Sequence, residues 1–197
     1  MLDHQELGTN HFFLPAYAYL ILVAGVVVWF APFVPAHQKT GPAKVVNRRS
    51  RWGVLLQFAA FTLLWQGHFW ERSLPPWQTL LSISLFAVAA ALSGTSSRAL
   101  RGQLRVDAGL GADHKLVRSG PYALVRHPIY TSMLVLLCAT AVITTPWLLF
   151  LVSLVVFVAG TEIRVRTEEK LLASQFGDEF MDYTRAVPAY LPFLLFH

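Results

Sequence analysis

The chain has 197 residues and a net charge of +5; 55% of its residues are hydrophobic and only 14% are charged. Soluble domains carry nearer a quarter of charged residues, so this composition argues against a soluble protein and predicts one compact membrane domain. The single cysteine, Cys138, excludes an intrachain disulfide and a cysteine-based zinc or iron–sulfur site within one chain.

Five apolar segments predict the membrane-spanning helices of an all-α bundle. In chain order they cover about residues 12–34, 52–70, 77–93, 129–144 and 147–160. The last two are short and are separated only by Thr145-Pro146, which predicts a tight helical hairpin. Asp3 and Glu6, with no basic residue, precede the first segment, so we expect a retained span and not a cleaved signal.

The charges between these segments predict an orientation. Basic residues are concentrated in the first and third links: Lys39, Lys44, Arg48, Arg49 and Arg51, then Arg98, Arg101, Arg105, Lys115, Arg118 and Arg126. The second link holds only Glu71 and Arg72, and the hairpin turn holds no charge. Because basic loops stay in the cytoplasm, we expect the N-terminus outside and the C-terminus inside. The same distribution favours lipid head groups over nucleic acid as the partner of the basic residues.

Two features flank the spans. Trp29, Trp52, Trp70, Trp77 and Trp147 lie at predicted span ends, which is typical of an interfacial aromatic belt. Residues 162–183 keep Leu171, Leu172, Phe176 and Phe180 at helical spacing among charges, which predicts a cytoplasmic amphipathic helix that Pro188 and Pro192 end. We therefore divide the chain into a three-span part, 1–95, and a part that carries the chemistry, 96–197.

Several common site types are not indicated. Gly109-Leu110-Gly111 resembles the start of a dinucleotide-binding loop, but the sixth position is His114 and we predict no strand before it. We find no P-loop, no zinc-protease motif and no nucleophile-elbow motif, and we expect no metal. A bis-histidine haem would need two imidazoles at one depth, whereas His68 and His127 fall near opposite ends of their spans.

The segment before the fourth span predicts a ligand site. Ser119-Gly120-Pro121 is a turn through which backbone can approach a ligand closely, and Pro128 opens the next helix. Backbone amides at that helix start would suit a ligand carboxylate. Tyr130 follows His127 by three residues, so both can face one pocket. The alternative is that Arg126 and His127 are interfacial residues and Tyr130 is a belt aromatic.

A second cluster follows the fifth span. Arg164 and Glu168 are i, i+4 neighbours, and so are Glu162 and Arg166. The alternative here is a solvated helix face with ordinary ion pairs. Charges that directly leave an apolar span are costly, however, and therefore favour a functional role.

Together these segments resemble the isoprenylcysteine carboxyl methyltransferase family. Arg126-His127-Pro128-Ile129-Tyr130 is similar to the family's R-H-P-x-Y signature. Later residues resemble its closing elements, in order: Arg164, Glu168, Glu169, Leu171, Phe176, Gly177, Phe180, Tyr183, Val187 and Pro188. Thr145 stands where eukaryotic members tend to have Asn, and Phe180 where Tyr is usual. Phospholipid N-methyltransferases share much of this pattern, and membrane sterol reductases share parts of it with a nicotinamide cofactor.

The resemblance implies a cytoplasm-facing pocket for S-adenosylmethionine and a lipophilic or lipidated substrate that enters from the bilayer. By position, the cofactor-binding residues would be Leu116, Val117, Gly120, Tyr122, His127, Pro128, Tyr130 and Glu169. The catalytic residues would be Arg164, Glu168 and Arg126. If the acceptor is a carboxylate, Arg164 is the first candidate to position it and Arg126 the second. If it is an amine, Glu168 or His127 would be the base. The identity of the acceptor and the oligomeric state are left open.

Overall fold

The computed structural model describes residues 14–34, 49–67, 73–100 and 115–190, together with the backbone of 45–46 and 109–110. Six α-helices account for most of these residues: α1 Ala16–Phe30, α2 Ser50–Leu64, α3 Pro76–Leu100, α4 Pro128–Thr144, α5 Trp147–Phe176 and α6 Asp178–Ala186. A 3-10 helix, Gly120–Ala123, precedes α4. Two short strands, β1 Val45–Val46 and β2 Gly109–Leu110, pair antiparallel, with Val45 opposite Leu110.

The all-helical class is confirmed apart from this two-residue pair, whose second strand is Gly109–Leu110 itself. The residues directly before Gly109, where we predicted no strand, lie outside the described residues. A helix lies in each of the five segments predicted to span. Two of the described helices, α3 and α5, are long and apolar enough to cross a membrane by length and composition. The apolar helices α1 and α4 are shorter, with 15 and 17 residues. The count of five spans therefore stays a prediction. Residue 95, the predicted division of the chain, lies inside α3.

The fifth segment differs from its predicted form. Instead of ending near Gly160, α5 continues unbroken for 30 residues to Phe176. At 1.5 Å per residue it is about 45 Å long, more than the ~30 Å hydrocarbon layer, so part of it must project beyond that layer. The break falls at Gly177, whose φ of +52° stops the helix, and α6 begins at the next residue. The predicted amphipathic helix is thus the end of α5 plus α6.

The helices pack in two groups that share α4. The first buried cluster joins α1, α3 and α4: Leu14, Ala18, Leu22, Trp29, Leu74, Phe86, Ala89, Leu136, Ala139 and Ile143. The second joins α2, α4 and α5: Ala60, Leu64, Leu137, Ala141 and Phe157. Large apolar side chains also point outward, among them Leu20 at 70% exposure, Phe58 at 72% and Val155 at 69%. Apolar surface of this extent suits lipid better than water.

Trp29 does not belong to the predicted aromatic belt. It is buried in the first cluster, where its Nε1–H donates to Ser132 Oγ at 3.1 Å. Ser93 Oγ donates to the Trp29 carbonyl at 2.8 Å, so both polar ends of the residue find partners inside the bundle. Trp52, Trp77 and Trp147 are exposed, as a belt requires, and Trp70 lies outside the described residues.

The predicted hairpin between α4 and α5 is confirmed. Thr145 is extended and Pro146 precedes the first residue of α5. The Thr145 hydroxyl donates to the Leu64 carbonyl at 2.6 Å, and so satisfies a carbonyl at the C-terminal end of α2. Position 145 therefore fixes the end of α2 against the hairpin.

Candidate functional site

Three segments of the chain meet at the N-terminal end of α4. They are residues 122–130 at the start of α4, residues 162–169 in the second half of α5, and residues 183–190 after the middle of α6. Pro121 and Pro128 stand in the first turns of their helices, where the fixed φ of proline suits a helix start and its missing N–H costs nothing. This local stiffness places the polar side chains of the first segment against α5.

The first polar group consists of Arg164, Tyr130 and Glu168. Arg164 Nε donates to the Tyr130 hydroxyl at 2.6 Å, and Arg164 NH2 lies 3.5 Å from Glu168 Oε1. The Tyr130 hydroxyl in turn donates to Glu168 Oε1. The Arg164 guanidinium carbon also lies 5.2 Å from the centre of the Tyr130 ring. A buried phenol thus joins the cation and the carboxylate that the sequence placed one turn apart.

The second polar group consists of Arg126, His127 and Glu169. Arg126 Nε donates to Glu169 Oε1 at 2.9 Å, and Arg126 NH1 donates to the carbonyls of Thr184 at 3.0 Å and Val187 at 2.6 Å. His127 Nε2 lies 3.0 Å from the same Glu169 oxygen. Burial raises the pKa of the Glu169 carboxyl, but the hydrogen bonds from His127 and Arg126 and the charge of Arg126 outweigh it, so the pKa lies below its usual value.

His127 lies between the two carboxylates. An ionised Glu169 can only accept, so the hydrogen bond at Nε2 puts the imidazole proton on that nitrogen. Nδ1 then faces Glu168, with 3.8 Å between Nδ1 and Oε2. The ring also packs near the rings of Tyr130 and Tyr190, at centroid distances of 5.8 and 6.2 Å.

The chain after α6 runs alongside the start of α4. Arg126 N donates to Pro188 O at 2.8 Å and His127 N donates to Ala189 O at 3.0 Å. We expected amides at this helix start to be available for a ligand carboxylate, but these two are already used within the protein. The Tyr190 carbonyl accepts from Thr131 Oγ1 at 2.8 Å, and the Tyr190 hydroxyl donates to Glu162 at 2.7 Å.

Two tyrosines support the group from the side of α6. The Tyr183 hydroxyl donates to the Tyr122 carbonyl at 2.6 Å, and the Arg118 guanidinium carbon lies 5.7 Å from the centre of the Tyr183 ring. Burial raises the pKa of Tyr183 to about 12. Burial, together with the charge of Glu168, also raises the pKa of Tyr122 well above its usual range. Both phenols are therefore neutral donors at physiological pH.

The carboxylates of this site are more exposed to solvent than the guanidinium groups. The side chains of Arg126 and Arg164 are each 8% exposed, whereas those of Glu168 and Glu169 are 25% and 24% exposed. The formal charges of these four residues cancel. A molecule that approaches the group therefore meets carboxylate before it meets guanidinium.

The structure brings most of the predicted site residues together. Arg126, His127, Tyr130, Arg164, Glu168 and Glu169 form the two polar groups, and Tyr122 and Pro128 are buried beside them. Leu116, Val117 and Gly120 lie in the segment that leads to Tyr122; the first two are half-buried and Gly120 is exposed, with a φ of +64°. Among the described residues, no group of three or more His, Cys, Asp or Glu side chains is arranged to hold a metal ion.

Sequence reasoning missed three contributors. Tyr190 was not singled out, although an aromatic residue just after the Val187-Pro188 element was a usable signal. Gly53 on α2 lies against Arg164, and Gly160 lies opposite it on α5. Glycines near matching ends of two predicted apolar segments were a signal of close packing, but their partners cannot be read from the sequence.

The comparison with known families decides the class of this protein. Residues 77–179, just over half of the chain, match the family described as PEMT, phospholipid methyltransferase. The chain belongs to the phospholipid methyltransferase family. The matched region runs from α3 into α6 and contains both polar groups. Members of this family are methyltransferases that use S-adenosylmethionine, and two long apolar helices agree with a helical membrane protein.

Individual proteins are similar over parts of their length. The cobalt-zinc-cadmium resistance protein CzcN of Cupriavidus metallidurans is 31% identical over 148 residues, which cover 74% of this chain and 64% of that protein. The protein-S-isoprenylcysteine O-methyltransferase of Schizosaccharomyces pombe is 34% identical over 82 residues, which cover 42% of this chain and 35% of that protein. The Arabidopsis thaliana protein-S-isoprenylcysteine O-methyltransferase B is 34% identical over 82 residues, covering 41% of each. The chain thus spans between about a third and two thirds of these relatives. The similarity to isoprenylcysteine methyltransferases expected from the motifs is confirmed.

Proposed function

We propose that this protein transfers a methyl group from S-adenosylmethionine to a lipophilic acceptor at the membrane surface. The observation that carries the proposal is the contact of Arg164 with Tyr130 and Glu168. It joins the two motif segments into one buried polar group where helices with apolar outer faces end. A polar group of this kind is costly next to lipid, and its presence therefore favours a functional role.

The side chains present fit the cofactor. S-adenosylmethionine carries an ammonium and a sulfonium, and when bound it supplies an electrophilic methyl group. The partly exposed carboxylates of Glu168 and Glu169 would accept hydrogen bonds from the ammonium. The rings of Tyr122 and Tyr130 would face the sulfonium with their electron-rich surfaces. Leu116, Val117, Gly120 and Pro128 would complete the walls, with His127 between the carboxylates.

Methyl transfer from a sulfonium is an in-line displacement, so the protein's task is to align the acceptor and to exclude water. The contacts of Arg126 with Glu169, Thr184 and Val187 hold α5, α6 and the following chain together, and this favours a positioning role for Arg126. Arg164 is the better candidate for contact with the acceptor, because its partners Tyr130 and Glu168 are themselves site residues.

The first acceptor class is a carboxylate, as in carboxyl methyl esterification of an isoprenylcysteine-like group. The motif order and the similarity to two protein-S-isoprenylcysteine O-methyltransferases support it. The Arg164 guanidinium would then turn from Glu168 toward the acceptor and orient its oxygen at the methyl group. The Glu168 carboxylate would keep its hydrogen bond from Tyr130 during that exchange.

The second acceptor class is an amine, such as a phospholipid head group. It is favoured by the greater exposure of Glu168 and Glu169 over that of the two guanidinium groups. The acceptor nitrogen must lose a proton before its lone pair can attack the methyl carbon. His127 Nδ1 would take that proton, and Glu168 and Glu169 on either side would stabilise the resulting imidazolium.

The membrane arrangement is part of the same proposal. Five spans, an external N-terminus and a cytoplasmic site follow from the basic links, and the helices found in all five segments support them. The residues of 96–197 would carry the cofactor site, and those of 1–95 would support it within the bilayer.

The test uses the purified protein in detergent or nanodiscs with methyl-labelled S-adenosylmethionine and a host lipid extract. We expect label in a lipid-soluble product. Mild base should release the label if the product is a methyl ester, but not if it is a methylated amine. Calorimetry should detect S-adenosylhomocysteine and not NADPH. Binding of NADPH alone would favour the reductase alternative, and binding of neither would favour a non-catalytic membrane protein.

A further inference from the structure

The helix α2 lies outside the region that matches the family, yet it touches the site through α5. The two helices approach each other closely where Gly53 faces Gly160. A methyl group at position 160 would lie 2.8 Å from Gly53 O, 2.8 Å from Leu56 Cβ and 3.1 Å from Gln57 N. Backbone therefore packs on backbone at this point, with no room for a side chain.

Gly53 has a second close neighbour, the side chain of Arg164. A methyl group at position 53 would lie 2.5 Å from Arg164 Cγ, 3.4 Å from Arg164 Cδ and 2.5 Å from Gly160 O. The aliphatic stem of Arg164 thus crosses α2 in the space that a side chain at position 53 would fill. Arg164 is only 7% exposed, so its stem has little freedom to take another path.

The register of the two helices is fixed one turn further on. Gln57 Nε2 donates to Thr161 Oγ1 at 2.8 Å, and both residues are buried. A slide of α2 along α5 would break this hydrogen bond and would carry Gly53 away from Arg164. The stem of Arg164 is therefore confined by α2 on one side, while its guanidinium is held by Tyr130 and Glu168 at the other end.

We propose that Gly53 is a positioning residue for Arg164: the missing side chain at 53 sets the path of the Arg164 stem and thereby places the guanidinium on Tyr130 and Glu168. This inference rests on the proposed function, because it assigns α2 a part in the same site. Gly53 does not touch cofactor or acceptor in this account. It acts only through the side chain of Arg164.

The experiment compares four single variants in labelled-methyl assays with S-adenosylmethionine. In Gly53→Ala we expect kcat to fall on the order of 10- to 100-fold, the effect of a misplaced catalytic group, with little change in KM for the cofactor. Gly160→Ala disturbs the same helix contact, but the three atoms nearest to its new methyl group belong to α2 and not to Arg164, so its kcat should fall less. Leu55→Ala, at an exposed position of α2, should leave kcat unchanged. Arg164→Ala removes the group that Gly53 positions.

A double-mutant cycle separates positioning from packing. If Gly53 acts through Arg164, Gly53→Ala should lower kcat by a smaller factor in the Arg164→Ala background than in the wild type, because only its contact with Gly160 O remains there. Gly160→Ala should lower kcat by the same factor in both backgrounds. An equal fold-loss for Gly53→Ala with and without Arg164, or a wild-type kcat in Gly53→Ala, would overturn the inference.

The same four-protein cycle is also measured by thermal unfolding, which needs no activity. We expect Gly53→Ala to lower Tm more when Arg164 is present than when it is alanine. Additive shifts in Tm would contradict the contact between position 53 and Arg164, even if no methyl transfer were found. Coupled shifts without methyl transfer would leave the contact in place and contradict the proposed function.

Discussion

Arg164 and Tyr130 are joined by a hydrogen bond of 2.6 Å from Arg164 Nε to the Tyr130 hydroxyl, although 34 residues separate them. Tyr130 belongs to the first turn of α4 and Arg164 to the part of α5 that leaves the apolar segment. The bond ties the two motifs of the sequence to each other, and Glu168 accepts from both residues. The site therefore depends on the α4–α5 hairpin as much as on either motif.

Removal of the Tyr130 hydroxyl should impair catalysis more than folding. Tyr130→Phe keeps the buried ring but removes the acceptor of the Arg164 Nε hydrogen bond, so the guanidinium is less well fixed. We expect kcat to fall on the order of 10- to 100-fold in the labelled-methyl assay. Tyr17→Phe, at an exposed position on α1, is the matched control and should keep wild-type activity. Full activity in Tyr130→Phe would remove the hydroxyl from the mechanism.

Glu169 should matter for stability, because Arg126 is buried and Glu169 is its carboxylate partner. Glu169→Gln keeps the shape and one acceptor but removes the charge, so we expect a loss of roughly 1–3 kcal/mol in the free energy of unfolding. Denaturant unfolding in detergent measures it. The control is Glu179→Gln, whose pair with Arg118 is largely exposed and should contribute little. Equal losses in the two variants would contradict the structural importance of Glu169.

The same carboxylate predicts a pH dependence. The pKa of Glu169 is lower in the folded protein than in the unfolded chain, so its stabilising effect is complete above the unfolded value, about 4.3. It is lost as the pH falls through the folded value. The difference in Tm between the wild type and Glu169→Gln should therefore be constant near neutrality and shrink below about pH 4. A difference that grows on acidification would have the wrong sign.

Gly177 should be intolerant of a side chain for a backbone reason alone. Its φ of +52° with ψ of −126° is a conformation that residues with a Cβ avoid, while no atom lies within 4 Å of the place a methyl group would take. Gly177→Ala should cost roughly 1–3 kcal/mol and displace α6, which carries Tyr183 to Tyr122. Gly94→Ala, in the interior of α3, is the control and should be neutral or stabilising, because its methyl group would meet Pro32 Cγ at 3.8 Å, an ordinary van der Waals distance. Unfolding and methyl-transfer assays on both variants check this.

The sequence predicted what is local along the chain and missed what depends on packing. The i, i+4 pair of Arg164 and Glu168 and the hairpin at Thr145-Pro146 are confirmed, because short-range spacing determines both. Trp29 was placed at the membrane interface from its position at a span end. Its burial depends on Ser132, which is 103 residues away.

The same limit explains the errors at the site. The amide of His127, which caps α4, looked available because its acceptor, the carbonyl of Ala189, lies about 60 residues later. The fifth span was predicted to end at Gly160 because the apolar run stops there, before the charged residues that begin with Glu162. The helix α5 continues instead, and the contact of Gly160 with α2 gives this glycine a packing role inside it. Neither partner could be read from local spacing.

The most direct test of the account is the methyl-transfer rate of Arg164→Ala beside that of Arg166→Ala, a nearby arginine on the same helix whose side chain is 74% exposed. We expect Arg164→Ala to lose about 100-fold or more in kcat while it still binds S-adenosylhomocysteine, and Arg166→Ala to stay close to wild type. Normal methyl transfer to the lipid-soluble product by Arg164→Ala would contradict the account.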